Sequence, residues 1–129
     1  MSQNSIFLKI KTGEIPGKIV FEDDQCFAIE DINPQAPVHV LIIPNKEIAK
    51  VSDSEESDKK LLGHLLLVSK KIADKYNLND NYRLVINNGA DAGQSVFHIH
   101  VHLLGGRGLT WPPGSVSYTH LTLPTTPYV

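Results

Sequence analysis

The chain has 129 residues, a formal net charge of -2 and one cysteine. A chain of this length forms one domain with a sizeable core, and its weak acidity argues against stable binding to nucleic acid or to an anionic membrane. A single cysteine excludes an internal disulfide framework, and no apolar stretch is long enough to span a membrane, so we expect a cytoplasmic protein.

The first predicted elements are a short helix and a hairpin. Ser5 is placed to cap a helix that continues through Thr12 and ends at Gly13. Two apolar runs, 18–21 and 26–29, flank an acidic turn and indicate a β-hairpin.

The rest of the chain predicts three more strands and one long helix. An apolar strand, 38–43, follows a proline-rich loop. Apolar residues then recur at helical spacing over 57–77: Leu61, Leu62, Leu65, Val68, Ile72 and Tyr76. Segments 82–87 and 95–104 are predicted strands on either side of a glycine-bearing loop. Together these elements predict an α+β fold whose five strands form a predominantly antiparallel meander sheet, with one short and one long helix.

The end of the chain, 115–129, differs in composition from the rest. It contains no Asp, Glu, Lys or Arg, it is rich in threonine, and prolines interrupt any regular pattern. Residues 116–124 also resemble the translation of a sequencing adapter. We therefore expect one domain over 1–114 and an unstructured, non-native tail over 115–129, in which His120 has no role.

Three histidines, His98, His100 and His102, occupy alternate positions of the last predicted strand. Because side chains alternate between the two faces of a strand, the imidazoles share one face and the apolar residues share the other: Phe97, Ile99, Val101 and Leu103. A neutral imidazole can attack phosphorus while a neighbouring one donates a hydrogen bond. Residues 93–95 add backbone N–H groups, an amide and a hydroxyl, so the pattern suits a catalytic or phosphate-binding site.

Two other interpretations of this histidine face stay open on the residues alone. One is a zinc site, to which only His39 or Cys26 look placed to add a ligand, and the other is a merely polar strand face. Cys26 lies in an apolar run and is expected to be a buried structural thiol. His64 lies within the long predicted helix and is expected to be a polar-face or interface residue and not a catalyst. No compact carboxylate cluster suggests a divalent cation, so we expect neither a metal nor a cofactor.

The sequence from His98 to Leu104 resembles the signature of the histidine triad (HIT) superfamily. Flanking segments over about residues 5–114 are similar to its Hint branch, the histidine triad nucleotide-binding proteins: 6–7, 31–37, 93–96 and 111–114. The resemblance implies a HIT-like fold, a homodimer and purine nucleoside monophosphates as ligands. It also implies hydrolysis of purine nucleoside 5′-phosphoramidates, including aminoacyl-adenylate-like species, to AMP and an amine.

The same resemblance implies roles for individual residues. His100 is the nucleophile toward the α-phosphorus. His102 and Ser95 contact the phosphate and help the amine to leave. His98 and His39 orient His100 through a hydrogen-bonded chain. The remaining positions are implied to bind the nucleotide: Asn87, Gly93 and Gln94 beside the phosphate, Asp31 at the ribose, Ile6, Phe7, Ile10 and Ile32 around the base, and Trp111 reaching toward the partner subunit's site.

Two other activities compete with this interpretation. One is a dinucleoside polyphosphate hydrolase of a sister branch, and the other is a nucleotide-binding regulatory module whose hydrolysis is incidental. Ile29 and Glu30 depart from the family's usual residues beside the base, which leaves the base preference open.

Overall fold

The structure of the protein, a computed structural model, describes residues 5–113. In chain order its elements are α1 (Ile6–Lys11), β1 (Ile19–Glu22), β2 (Cys26–Glu30), β3 (Val38–Pro44), α2 (Lys59–Lys75), β4 (Tyr82–Val85) and β5 (Val101–Gly105). The strands form one five-stranded antiparallel sheet, so the predicted α+β class is confirmed. The predictions for 115–129 and His120 lie outside the described residues.

The strand order is β1-β2-β3-β5-β4, which differs from the simple meander that the sequence suggested. A meander would place β4 beside β3, but β5 lies between them. The burial of the two strands agrees with this order, because Val101, Leu103 and Gly105 of β5 are buried whereas all four residues of β4 keep partial exposure. The strand β5 lies inside the sheet as the direct neighbour of β3, and β4 forms the edge.

Helix α2 covers one face of the sheet. Its buried residues recur at the predicted helical spacing: Leu65, Val68, Ser69, Ile72 and Ala73. They pack against alternate residues of β2, β3 and β5, which include Cys26, Ala28, Val40, Ile42, Val101 and Leu103. Removal of this apolar surface from water is the main contribution to stability. Neither α2 nor any other helix in the described part of the chain is long and apolar enough to cross a membrane.

The other face of the sheet carries a smaller apolar cluster next to α1: Phe7, Phe27, Ile29, Leu41 and Ile43. Ser5 caps α1 as predicted, and its Oγ accepts the N–H of Phe7 at 3.1 Å. A helix of six residues is not stable alone, so α1 depends on this cap and on the buried ring of Phe7.

The histidine segment is less regular than predicted. The strand β5 begins at Val101, so His98 and His100 precede it. The apolar residues between the histidines enter the core as expected, except Phe97, which is 46% exposed. The prediction for Phe97 is wrong because the chain bends over 96–98, before its pairing with β3 begins.

Asp23 joins the β1–β2 turn to α2. Its Oδ1 accepts the N–H groups of Gln25 and Cys26, both at 2.8 Å, and its Oδ2 lies 2.7 Å from Nε2 of His64. Burial opposes ionisation of this carboxyl, but these hydrogen bonds hold the pKa of Asp23 below its usual value. His64 therefore has a structural partner. Cys26 is buried as expected, and burial raises the pKa of its thiol to about 12.

Candidate active site

Four histidines lie together on the face of the sheet opposite α2. The strand β3 supplies His39, β5 supplies His102, and the segment before β5 supplies His98 and His100. In the antiparallel register His39 lies opposite Leu104, two residues after His102, so both imidazoles project from the same face. The ring centroids of His100 and His102 are 5.0 Å apart, and those of His39 and His102 are 5.2 Å apart.

His98 is fully buried, and both of its ring nitrogens are hydrogen-bonded. Nε2 lies 2.7 Å from the carbonyl oxygen of Pro44, and Nδ1 lies 2.7 Å from Oγ of Ser5. Because a carbonyl only accepts, Nε2 carries the proton and Nδ1 accepts from the hydroxyl. Burial lowers the pKa of His98. A buried, neutral imidazole with both nitrogens occupied is unsuited to attack a substrate or to donate to it.

His100 is held in the opposite tautomer. Its Nδ1 lies 2.8 Å from the main-chain oxygen of His98, so Nδ1 carries the proton and Nε2 keeps its lone pair. None of the described residues hydrogen-bonds to this Nε2. The ring of Phe7 packs edge-on against the imidazole at 4.9 Å. Burial lowers the pKa of His100, so the neutral ring presents the nitrogen lone pair that attack on phosphorus needs.

The pair of His39 and His102 offers an N–H donor, which complements the lone pair on His100. The N–H of Gln35 donates to Nδ1 of His39 at 3.0 Å, so His39 carries its proton on Nε2. That Nε2 lies 3.0 Å from Nδ1 of His102 and 3.4 Å from Oδ2 of Asp31. Nδ1 of His102 is therefore an acceptor, and its Nε2 carries the proton. Burial, together with the neighbouring His100 and His39, lowers the pKa of His102 to about 4.

Two contacts differ from those that the resemblance implied. His39 hydrogen-bonds to His102 and not to His100. The reason is the register, which pairs His39 with Leu104, two residues after His102 on β5. His98 holds His100 through its main-chain oxygen, while its imidazole faces Ser5. The four histidines thus form two separate hydrogen-bonded pairs and not one chain. His98 pairs with His100, and His39 pairs with His102.

Gln94 is part of the loop structure and is not open to a ligand. Its Oε1 accepts the N–H of Gly89 at 2.7 Å, and its Nε2 donates to the carbonyls of Ala49 and Val96 at 2.8 and 3.0 Å. Because this buried amide has both of its donor hydrogens in use, it is not free to bind a phosphate group. In this arrangement the side chain of Gln94 therefore cannot make the predicted contact with a phosphate.

Three other predicted phosphate positions remain open. Ser95 is exposed, and no described residue hydrogen-bonds to its hydroxyl. Gly93 has a φ of +100°, which favours glycine, and a Cβ there would lie 3.7 Å from Nδ2 of Asn87. Asn87 lines a cavity of about 720 Å³ together with His39 and His102. The structure therefore leaves the Ser95 hydroxyl exposed and places the Asn87 amide on the same cavity as the imidazoles of His39 and His102.

Asp31 lies at the start of the β2–β3 loop and has two different contacts. Its Oδ1 accepts the N–H of Asn33 at 2.8 Å, which is a turn-capping role. Its Oδ2 faces His39. The next residue, Ile32, is 91% exposed, so its side chain is free to contact a ligand.

The remaining predicted nucleotide residues differ in exposure. In α1, Ile6 is exposed, Ile10 is half-buried and Phe7 is buried against the ring of His100. Trp111 is 67% exposed. A ligand can therefore reach Ile6, Ile10 and Trp111. Phe7 instead packs edge-on against the ring of His100.

The donor atoms of Asp31, His39 and His102 lie within 4.8 Å of one another, which raises the zinc interpretation again. The tautomer of His39 argues against a zinc ion at these atoms. Because Nδ1 of His39 accepts the N–H of Gln35, a metal on Nε2 would leave this ring with no proton at all. Metal-bound histidines instead donate their second ring N–H to a carboxylate, a carbonyl or water. The donor set therefore fits neutral histidines better than a metal.

Sequence reasoning missed the groups that fix these tautomers. They are the hydroxyl of Ser5, the carbonyl of Pro44 and the N–H of Gln35. Ser5 and His98 are 93 residues apart in the chain. No local pattern could signal these contacts, because two of the groups are main-chain atoms and the third is paired only through the tertiary fold.

Known proteins resemble this chain both in sequence and in structure. The family described as "HIT domain" matches residues 12–109. An uncharacterized HIT-like protein from Synechocystis sp. is 55% identical over 114 residues, which is 88% of this chain and all of that protein. A HIT family hydrolase from Legionella pneumophila is 52% identical, with a TM-score of 0.83 over 86% of this chain and all of that one. A histidine triad nucleotide-binding protein from Candida albicans is 34% identical, with a TM-score of 0.72 over 92% and 90% of the two chains.

Proposed function

The chain belongs to the HIT domain family, and we propose that it is a nucleotide hydrolase of the Hint branch. Its proposed reaction is cleavage of the P–N bond of adenosine and other purine nucleoside 5′-phosphoramidates. Two of the compared solved structures carry related descriptions, one as a HIT family hydrolase and one as a histidine triad nucleotide-binding protein. The observation that carries the proposal is the pair of opposed tautomers, with a lone pair on Nε2 of His100 beside an N–H on His102.

The first step follows from these tautomers. Nε2 of His100 attacks the α-phosphorus, and the P–N bond breaks to leave a nucleotidyl-His100. The N–H of His102 and the hydroxyl of Ser95 donate hydrogen bonds to the phosphoryl oxygens and to the departing nitrogen. A proton from solvent completes the amine. His98 and His39 touch no reacting atom and act by positioning His100 and His102.

Water completes the cycle. It attacks the phosphorus of the nucleotidyl-histidine, the P–N bond to His100 breaks, and AMP leaves as the released proton returns to solvent. The purine nucleoside is proposed to bind with its ribose at Asp31 and its base against Ile6, Ile10 and Ile32. None of these steps requires a metal ion.

Release of AMP from an adenosine 5′-phosphoramidate tests this function. We expect turnover in the presence of EDTA, and a loss of at least about 1000-fold in kcat for His100→Ala with binding of AMP retained. His64→Ala is the matched control, because His64 lies on α2 with Asp23 as its partner and should keep full activity. Near-normal turnover by His100→Ala, or cleavage of diadenosine triphosphate with none of the phosphoramidate, would contradict the proposal.

We also propose that two chains pair along β4. The strand β4 pairs only with β5, so within 5–113 its other backbone edge has no strand partner. The cavity of about 720 Å³ is lined mainly by residues of β3, β4, β5 and 107–113, and Ile86 next to β4 is an exposed apolar residue. A second copy would cover this edge and bring its own Trp111 close to the site.

Light scattering on a sizing column measures this pairing directly. We expect a species of twice the 14.3 kDa chain mass, and a single-chain species for Ile86→Lys because a charge at the edge opposes apolar packing. Ile19→Lys, at the opposite edge strand β1, is the control that should remain paired. A wild-type mass of 14.3 kDa would refute the dimer.

A further inference from the structure

The segment that carries His98 and His100 is not held by the sheet. The pairing of β5 with β3 begins at Val101, so both histidines lie before the first ladder hydrogen bond. Near them, the N–H of Ile99 donates to the carbonyl of Ile48 at 2.8 Å. Besides this main-chain bond, the side chain of His98 supplies two anchors that help to set the position of the proposed nucleophile.

The imidazole of His98 is fixed at both nitrogens by groups from distant parts of the chain. Pro44 at the end of β3 accepts from Nε2, and Ser5 at the start of α1 donates to Nδ1, both at 2.7 Å. The carbonyl of Pro44 determines the direction of the Ser5 bond. Because Nε2 of His98 donates to that carbonyl, the neutral ring accepts at Nδ1. The Ser5 hydroxyl supplies that proton, while its Oγ accepts the N–H of Phe7.

We infer that Ser5 is a positioning residue for His100. Its hydroxyl holds His98 as the Nε2–H tautomer between α1 and β3, and the main-chain oxygen of His98 then holds the Nδ1–H of His100. The N-cap of α1 is thereby connected to the lone pair on Nε2 of His100. This inference rests on the proposed function only for its kinetic consequence, since the hydrogen bonds exist in the free protein.

The contacts of Phe7 support this role. Its ring lies 5.9 Å from that of His98 and 4.9 Å from that of His100, so one residue of α1 packs against both. Ser5 and Phe7 are joined through the cap bond. Loss of the Ser5 hydroxyl therefore leaves Nδ1 of a fully buried ring without its partner and removes the hydrogen bond that joins α1 to His98.

The experiment uses Ser5→Gly in the full chain, because glycine is nearly as good an N-cap as serine but has no hydroxyl. We expect kcat for the phosphoramidate to fall about 10- to 100-fold with KM changed less than about twofold, as for other groups that orient a reacting residue. Ser5→Thr keeps a hydroxyl and should restore kcat. Ser69→Ala is the control, since Ser69 is also a buried hydroxyl and donates to the carbonyl of Leu65 within α2.

Nitrogen NMR of the imidazoles gives a readout that does not depend on turnover. Wild type should show His98 protonated at Nε2 and His100 protonated at Nδ1, and Ser5→Gly should lose the single tautomer of His100. The inference is overturned if Ser5→Gly keeps the wild-type kcat, or if His100 keeps its tautomer in that variant. If wild type hydrolyses no phosphoramidate, the proposed function fails, while the NMR comparison still decides whether Ser5 positions His100.

Discussion

The chemistry of His100 and of His39 depends on which main-chain group contacts Nδ1 of each ring. A carbonyl oxygen meets Nδ1 of His100 and forces the proton onto that nitrogen, whereas an N–H meets Nδ1 of His39 and forces the proton away. The same residue type therefore presents a lone pair in one place and a donor in another. Burial lowers the pKa of both rings, so both stay neutral near pH 7.

At this scale we predict an acid limit of activity below the usual range for histidine. Burial lowers the pKa of His100 and lowers that of His102 to about 4, and protonation of Nε2 of His100 removes its lone pair. We expect kcat/KM to reach half of its maximum only below pH 6.5, the ordinary imidazole pKa. The profile is measured from pH 4 to 8, with the background rate taken from His100→Ala. If kcat/KM falls to half of its maximum at or above pH 6.5, the predicted acid limit is wrong.

Among the elements, the loop between β4 and β5 shows how a polar side chain replaces sheet hydrogen bonds. The chain leaves β4 at Val85 and enters β5 at Val101, and between them the amide of Gln94 bonds to three main-chain groups. These bonds link 89–96 to the segment around Ala49. The open hydroxyl of Ser95 is held next to this buried anchor.

The corresponding prediction concerns Gln94→Glu, which keeps the size of the side chain. A carboxylate cannot donate to the carbonyls of Ala49 and Val96, so it would be buried against two acceptors. We expect the free energy of unfolding to fall by about 2–3 kcal/mol, measured by urea denaturation. Gln25→Glu is the control, because Gln25 is exposed and should change stability by less than about 0.5 kcal/mol. Equal losses in the two variants would refute this account of the loop.

For the molecule as a whole, the two faces of the sheet differ, because one packs against α2 and the other carries the histidines. The face under α2 is apolar, while the opposite face combines the small cluster at Phe7 with the four histidines. The structure encloses these imidazoles in their neutral form, and burial lowers the pKa of every one of them: His39, His98, His100 and His102. Folding is therefore linked to proton binding.

This linkage predicts a loss of stability in mild acid. The unfolded histidines titrate near pH 6.5 and the folded ones lower, so below 6.5 the unfolded chain binds more protons and gains stability relative to the folded one. Stability should be constant well above pH 6.5, begin to fall as the pH approaches 6.5, and decrease toward pH 4 by up to about 1.4 kcal/mol per pH unit for each proton. Urea denaturation between pH 7.5 and 4.5 measures the slope. His102→Gln should reduce it, and a flat wild-type profile would show that the histidines titrate normally in the fold.

Much of the molecule follows from the sequence because its signals are local. Helical spacing identified α2, the capping residue Ser5 and Gly13 bounded α1, and alternation identified the common face of the histidines. These signals depend on neighbouring residues and on the periods of helices and strands. The motif around His98–Leu104 similarly identified the family.

The tertiary structure decided the strand order, the exposure of Phe97 and the partners of the histidines. Each depends on groups that are distant in the chain, such as Ser5 beside His98 and β5 between β3 and β4. The structural role of Gln94 has the same origin, because its partners Ala49 and Gly89 are brought together only by folding. Sequence patterns report which face a residue occupies, whereas tautomers and hydrogen-bond partners depend on the atoms that the fold places opposite it.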